Sequence, residues 1–306
     1  MEGINNTAVK YFILLTLTDY RQYELLLFLT FLLIYIICLI GNIAIILITK
    51  MDHSLHTPMY FFISMFGTCE IFFVSSVVPV LLSNLIADMK SISFTGCFVQ
   101  VCAIATFGAT ECYLLAVMAF DRDLAINYPL HYSRIMRRDF CILLVVLPWA
   151  LCIINALIAT FFTTGYKYCG SNKLNHFMCE LGPLQHVACV VPPTNRLTVT
   201  ITEIYGIVLP FCINILMYIH IITTIVRIRG EKSKRKAFST CSSHITVATL
   251  FYGTASIAYM VPQTNNMSKY LSLIYSLVTP SVNPFIYTLR NKDVVTAFRK
   301  LSKRIS

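Results

Sequence analysis

The sequence predicts an all-α membrane protein: a seven-transmembrane helix bundle followed by a short amphipathic C-terminal helix. Three observations carry this. Of 306 residues, 57% are hydrophobic and 12% charged, with a mean hydropathy of +0.71; soluble domains run at roughly 45–50% apolar and about 25% charged. Seven stretches approach or exceed the roughly 20 apolar residues that a helix needs to cross about 30 Å of hydrocarbon. The basic residues fall unevenly on the segments that join those stretches.

Taken in order, residues 25–48, 140–162, 245–262 and 270–289 are uncharged, while 57–87, 97–120 and 199–226 each hold one acid. Their continuous apolarity selects helices over a barrel, because backbone amides in lipid must find partners within the structure. Met1 to Glu24 lacks a clean cleavable signal pattern and the first apolar run is longer than a signal core, so that run is expected to stay as a helix. With the N-terminus outside, 17 of the 24 Lys and Arg lie on inner segments and seven on outer ones. That asymmetry sets the orientation and gives one membrane domain over 1–306: an extracellular N-terminus at 1–24, helices and loops at 25–289, and a cytoplasmic tail at 290–306. The excess of 24 basic over 14 acidic residues is thereby explained by topology, without nucleic acid.

Two details agree with an outer N-terminus. Asn5-Asn6-Thr7 is a glycosylation sequon, usable only on the lumenal side. Of twelve cysteines, Cys97, Cys169, Cys179 and Cys189 face the oxidising side, where four thiols allow three complete pairings. At the other end, Val294, Val295, Ala297, Phe298 and Leu301 lie among Lys and Arg, the pattern of a short amphipathic helix on the inner leaflet.

Seven helices without internal repeats or paired broken helices disfavour a transporter. The seven histidines are scattered without metal-ligand spacing, which leaves catalysis little support. The acids within the membrane say more, since a charge at the bilayer centre costs at least about 2.5–3.5 kcal/mol. Glu70 and Glu111 fall at mid-depth on the second and third helices, where facing carboxylates either share a proton or bind a cation such as sodium. Glu203 lies higher on the fifth. At the inner end of the third helix, Asp121-Arg122 interrupts an apolar run, and in the seventh, Asn283-Pro284-Phe285-Ile286-Tyr287 combines a lost helical hydrogen bond with two polar side chains.

These features resemble the rhodopsin-like G-protein-coupled receptors, through Gly41-Asn42, Cys97, Asp121-Arg122 and Asn283 to Tyr287. Longer words resemble the vertebrate odorant receptors: Leu55-His56-Thr57-Pro58-Met59-Tyr60-Phe61-Phe62, Met118 to Arg122 continuing to Pro129-Leu130-His131-Tyr132, Lys236 to His244, and Pro280 to Asp293. Asn175 to Glu180 is similar to the tetrapod-type branch. The resemblance spans nearly the whole chain. It implies disulfides Cys97–Cys179 and Cys169–Cys189, a sodium site at Glu70 and Glu111 with no other cofactor, and a plasma-membrane receptor of olfactory sensory neuron cilia rather than an enzyme. It further implies activation through Asp121, Arg122, Tyr218, Lys236, His244, Asn283, Pro284 and Tyr287, with the olfactory stimulatory heterotrimeric G protein as partner and cyclic AMP as readout.

The same resemblance puts the odorant site between the outer halves of the third, fifth, sixth and seventh helices. Its residues are Ile104, Ala105, Gly108, Ala109, Thr202, Glu203, Gly206, Tyr252, Ala255, Ser256, Tyr259 and Ser276, and its ligands are small, mostly apolar volatile molecules. Each small residue can equally serve helix packing. Ionised, Glu203 favours an amine; protonated, it donates to a carbonyl or alcohol. The chain departs from the family at Asp123, Asn127 and Met217. The extra acid either tightens the hold on Arg122 or faces solvent or Arg134. A metabolite or peptide sensor of the same fold, and a transporter or channel, are the competing functions.

Overall fold

The computed structural model describes residues 9–15, 17, 20–169, 172–228, 230–260, 266–289 and 292–305. Asn5 lies outside the described residues, as do the side chains of Lys236 and Tyr259. In chain order the elements are β1 (Tyr11–Leu14), α1 (Arg21–Met51), α2 (Pro58–Ile86), β2 (Ser91–Ser93), α3 (Phe94–Asn127), α4 (Pro129–Ile135), α5 (Arg138–Thr164), β3 (Lys173–Leu174) and α6 (Leu181–Val187). There follow α7 (Pro193–Glu203) and α8 (Leu209–Arg227), joined by a π turn at Ile204–Val208; α9 (Glu231–Met260); α10 (Asn266–Leu273) and α11 (Thr279–Leu289), joined by a second π turn at Ile274–Val278; and α12 (Lys292–Ile305).

The seven spans are α1, α2, α3, α5, α7–α8, α9 and α10–α11. Among the described residues, five helices are long and apolar enough to cross a membrane by length and composition. The sixth span is helical from Glu231, well before its apolar run at 245, so its first turns are charged. The helix continues there because Lys, Arg, Glu and Ala hold helix as well as apolar residues do. The seventh is interrupted by its π turn and by Pro284.

Local signals fix several helix starts. Ser93 accepts a hydrogen bond from the Gly96 amide (3.0 Å) at the start of α3, and Pro58, Pro129 and Pro193 stand in first turns where no amide donor is needed. The third span is the centre of the bundle: its most apolar window is 67% buried, against 28% for the first span and 22% for the fourth. The outward faces of those two carry Leu25, Leu29, Leu33, Val146, Leu157 and Phe161, as a lipid-facing surface requires.

The ends of the bundle are called outer and inner after the orientation expected from the sequence. Sequence pattern did not anticipate the sheet at the outer end, because strands of two to four residues are too short to show alternation. There β1 pairs antiparallel with β2 (Phe12 opposite Ile92) and parallel with β3 (Leu14 opposite Leu174). Phe12, Leu14, Phe98, Val101, Leu174 and Leu184 form a small separate core under it. The disulfides Cys97–Cys179 and Cys169–Cys189, with Cα atoms 5.4 and 5.8 Å apart, fasten the loop between the fourth and fifth spans. At the inner end, α12 turns Val294 and Ala297 inward and leaves Phe298 exposed, while Tyr60 donates to Asp293 (3.2 Å).

Candidate ligand cavity and polar core

The outer halves of the third and fifth spans meet through small side chains. Gly206 lies on the π turn of the fifth, where a Cβ would approach Ala109 Cβ and Asn155 Nδ2 to 3.4 Å, and a Cβ at Gly108 would come equally near the Tyr275 hydroxyl. Gly108, Ala109 and Gly206 therefore set how closely helices approach. Thr202 is buried with its hydroxyl donated to the Val199 carbonyl (2.7 Å), and its own carbonyl accepts from Asn155 (3.0 Å). Ile104 and Ala255 are buried, whereas Ala105 and Ser256 are partly exposed. Tyr252 is buried, donates to the Cys112 carbonyl (3.1 Å) and packs on Phe211 with ring centroids 4.9 Å apart. Two members of the set keep free polar atoms. The Ser276 hydroxyl is fully buried without a partner, and the partly buried Glu203 carboxylate has, among the described residues, no hydrogen bond or ion pair.

Below this lies the polar core. Glu70, Glu111, Asn42 and Asn283 are each about 1% exposed. Asn283 Nδ2 donates to Glu70 Oε1, and the two carboxylates are near enough to interact electrostatically. Gly67 makes room for Asn42, whose Oδ1 would stand 2.8 Å from a Cβ there. Glu111 Oε1, Asn283 Oδ1 and the Tyr287 hydroxyl are buried without hydrogen-bond partners. A surplus of oxygens over donors suits either a hard cation or a proton.

At the inner end, Asp121 accepts from the Tyr132 hydroxyl of α4 (2.7 Å) and lies 3.8 Å from Arg122 Nε. Tyr218 and His244 are hydrogen-bonded between the fifth and sixth spans. Neither expectation for Asp123 holds. The side chain is buried, and Oδ1 meets His220 Nδ1 of the fifth span at 2.7 Å while accepting from Asn127 (2.7 Å). An acid at 123 and an amide one turn later share a helix face, so two of the chain's departures form one contact with His220. Tyr132, Asn155 and His220 carry no signal in the sequence, because their partners are more than ten residues away. Gln100 is a fourth such residue: it bridges the Ser76 carbonyl and the Cys179 amide, both at 2.9 Å.

Comparison with known proteins agrees with this arrangement. A family model described as "Olfactory receptor" matches residues 31–304. The chain is 42% identical to human "Olfactory receptor 5G3" over 99% of this chain and 98% of that one. It is 39% identical to "Olfactory receptor 1G1" of Gorilla gorilla gorilla over 98% and 97%, and to "Olfactory receptor 1f45" of Rattus norvegicus over the same shares. The crystal structure of squid rhodopsin superposes with a TM-score of 0.74 at 17% identity, covering 92% of this chain and 81% of that one, which shows the seven-helix fold. These relatives are receptors and not enzymes, and such receptors are multi-pass plasma-membrane proteins that sense small molecules and signal to G proteins. With about 40% identity along almost its entire length, the chain belongs to the olfactory receptor family.

Proposed function

We propose that this receptor binds small, mostly apolar volatile molecules between the outer halves of its third, fifth, sixth and seventh spans and activates the olfactory stimulatory G protein, raising cyclic AMP. One observation carries the reading. Arg122 lies beside Asp121 at the inner end of the central span, where exchangeable polar contacts from Tyr132, His220 and the Tyr218–His244 pair link neighbouring helices. Odorant binding above would loosen these contacts and free Arg122, Asn283 to Tyr287 and the Lys236 to His244 segment to meet the G protein. The N-terminus is outside and the C-terminus cytoplasmic, which the basic asymmetry supports, and the working site is the olfactory cilium.

Glu70, Glu111 and Asn283 would hold a sodium ion, which would neutralise the paired carboxylates and steady the resting bundle; their unpartnered buried oxygens support this. At Glu203 the partly buried, unpaired carboxylate supports a polar anchor for the ligand, an amine if ionised and a carbonyl or alcohol if protonated. The test is a cyclic AMP assay in cells supplied with the olfactory G protein, over an odorant panel that includes amines. A ligand-dependent rise that disappears in Arg122→Ala, at equal surface level, is expected. A response that survives Arg122→Ala would overturn the coupling role, and an unchanged ligand profile in Glu203→Gln would remove the anchor.

A further inference from the structure

Near mid-depth between the fifth and sixth spans runs a groove of about 280 Å³, lined by Phe211, Asn214, Ile215, Ile245, Ala248 and Gly253 among others. It shares only Tyr252 and Ser256 with the outer ligand set. Its walls are apolar and its rim opens outward: Ile215 is 46% exposed, Thr249 is exposed, and a Cβ on Gly253 would meet nothing within 4 Å. One polar group lies inside. Asn214 is 3% exposed and its Nδ2 has no hydrogen-bond partner; the Tyr252 hydroxyl, which donates to the Cys112 carbonyl, lies nearby but outside hydrogen-bond geometry.

A buried, unpaired amide donor costs about 1–3 kcal/mol and calls for an acceptor. Depth decides which one. Arg227 ends α8, about 20 Å further along the helix from Asn214. This puts Asn214 near the middle of a hydrocarbon layer about 30 Å thick, far from the ester carbonyls of phospholipids at its edge. On the lipid-facing side of the helices water is scarce too. The volume falls just below the roughly 300–1,000 Å³ of drug-sized sites, which limits the occupant to a small molecule dissolved in the bilayer itself.

We propose that this groove is a second ligand site, entered from the lipid, for small lipophilic carbonyl compounds. Asn214 Nδ2 donates to the carbonyl oxygen, the Phe211 and Tyr252 rings close the inner wall, and Ile215, Ile245 and Ala248 hold the alkyl part. Labelling reads occupancy and not signalling, so the test is independent of coupling and of the outer site.

The full chain in lipid nanodiscs is photolabelled with two diazirine probes of equal length, an alkyl methyl ketone and the matching alkane. The ketone is expected to label segments 211–218 and 245–249, which hold none of the outer ligand set. Asn214→Leu should lower ketone labelling about fivefold, the loss of one hydrogen bond, and leave alkane labelling unchanged. Gly253→Phe, whose ring fills the groove, should abolish ketone labelling there; Thr249→Trp on the exposed rim is the second blocking variant if Gly253→Phe reaches the membrane poorly. Three results would overturn the site: ketone labelling confined to residues 104–109 in the outer cavity, equal loss of both probes in Asn214→Leu, or labelling of the groove segments that persists in the blocked variants.

Discussion

At the outer end of the bundle, two disulfides, a three-stranded sheet and a small apolar core hold the loops across the helix ends. At the inner end, the third span meets its neighbours through polar contacts, Tyr132 to Asp121 and His220 to Asp123, each at 2.7 Å, beside a smaller apolar cluster of Ile126, Ile221, Ile225 and Cys241. Covalent and apolar restraints resist small changes, whereas a hydrogen bond worth about 1 kcal/mol net can be exchanged for a competing partner. The contrast suits the proposed roles, binding at the rigid end and switching at the other. Between them the Asn283 to Glu70 hydrogen bond joins the seventh span to the second, with the Glu111 carboxyl of the third close by.

The contrast breaks most severely at the outer strap. Cys97 and Cys179 are 82 residues apart in the chain, and removing a native disulfide of such a loop costs roughly 2–5 kcal/mol. Cys97→Ala is expected to abolish surface delivery, checked by immunolabelling of intact cells; normal delivery would mean that the sheet alone holds the cap. At the inner end the expected change is in signalling and not in folding. Tyr132→Phe removes a hydrogen bond to a carboxylate worth about 1.5–3 kcal/mol, so basal cyclic AMP should rise roughly tenfold at unchanged surface level, and a fall in delivery instead would place Tyr132 among the folding contacts.

The outer cap carries its own pH dependence. His176 and Glu180 are buried with Nε2 and Oε2 3.8 Å apart. Burial pushes the Glu180 carboxyl up to about 7, and burial, opposed by the Met178 amide and helped by Lys269, pulls His176 down to about 4. Between those values both are neutral, so the contact is not a salt bridge. A raised carboxyl stabilises the fold less as pH climbs from about 4.5 to about 7, because the folded state holds a proton that the unfolded state has released; a depressed imidazole has the opposite slope between about 4 and 6.5. The two oppose each other through mildly acidic pH, and above about 6.5 the Glu180 loss stands alone. Glu180→Gln should therefore gain stability relative to wild type between pH 5 and pH 7.5, by about 1–3 kcal/mol, read as the difference in melting temperature of the purified receptor. An equal offset at both pH values would show that Glu180 does not titrate in this range. The smallest effect is expected at the half-exposed His220, where a pair at the surface contributes about 0–1 kcal/mol: Asp123→Asn should raise basal cyclic AMP by no more than about fivefold, and a decrease would show that the His220 contact does not restrain the resting state.

Much of the architecture was legible because a membrane span is a property of consecutive residues. The apolar runs at 25–48 and 140–162 sit well inside α1 and α5, and the helical spacing of Val294 and Ala297, followed by Arg299, Lys300, Lys303 and Arg304, marks α12. Boundaries were less legible where polar helix continues beyond the hydrocarbon, as at Glu231 to His244. Of the candidate site, the positions could be carried over from the family, but their surroundings could not. Nothing in the sequence around Thr202 or Gly206 tells packing from ligand contact, and nothing around Asp123 points to His220.

The sequence by itself determined the membrane class, the seven spans, the basic asymmetry and the identity of the chemical groups available: three acids within the spans, four outer cysteines, and an Asp-Arg pair at a helix end. Each depends on composition over a local window, where transfer energy and helix rise are fixed. Tertiary structure alone decided that a sheet covers the outer end, that Asn283 donates to Glu70, that Asp123 and Asn127 converge on His220, and that Asn214 is left without a partner beside a lipid-facing groove. These are meetings between residues far apart in the chain, and their energy depends on helix rotation and approach, which neither hydropathy nor spacing encodes.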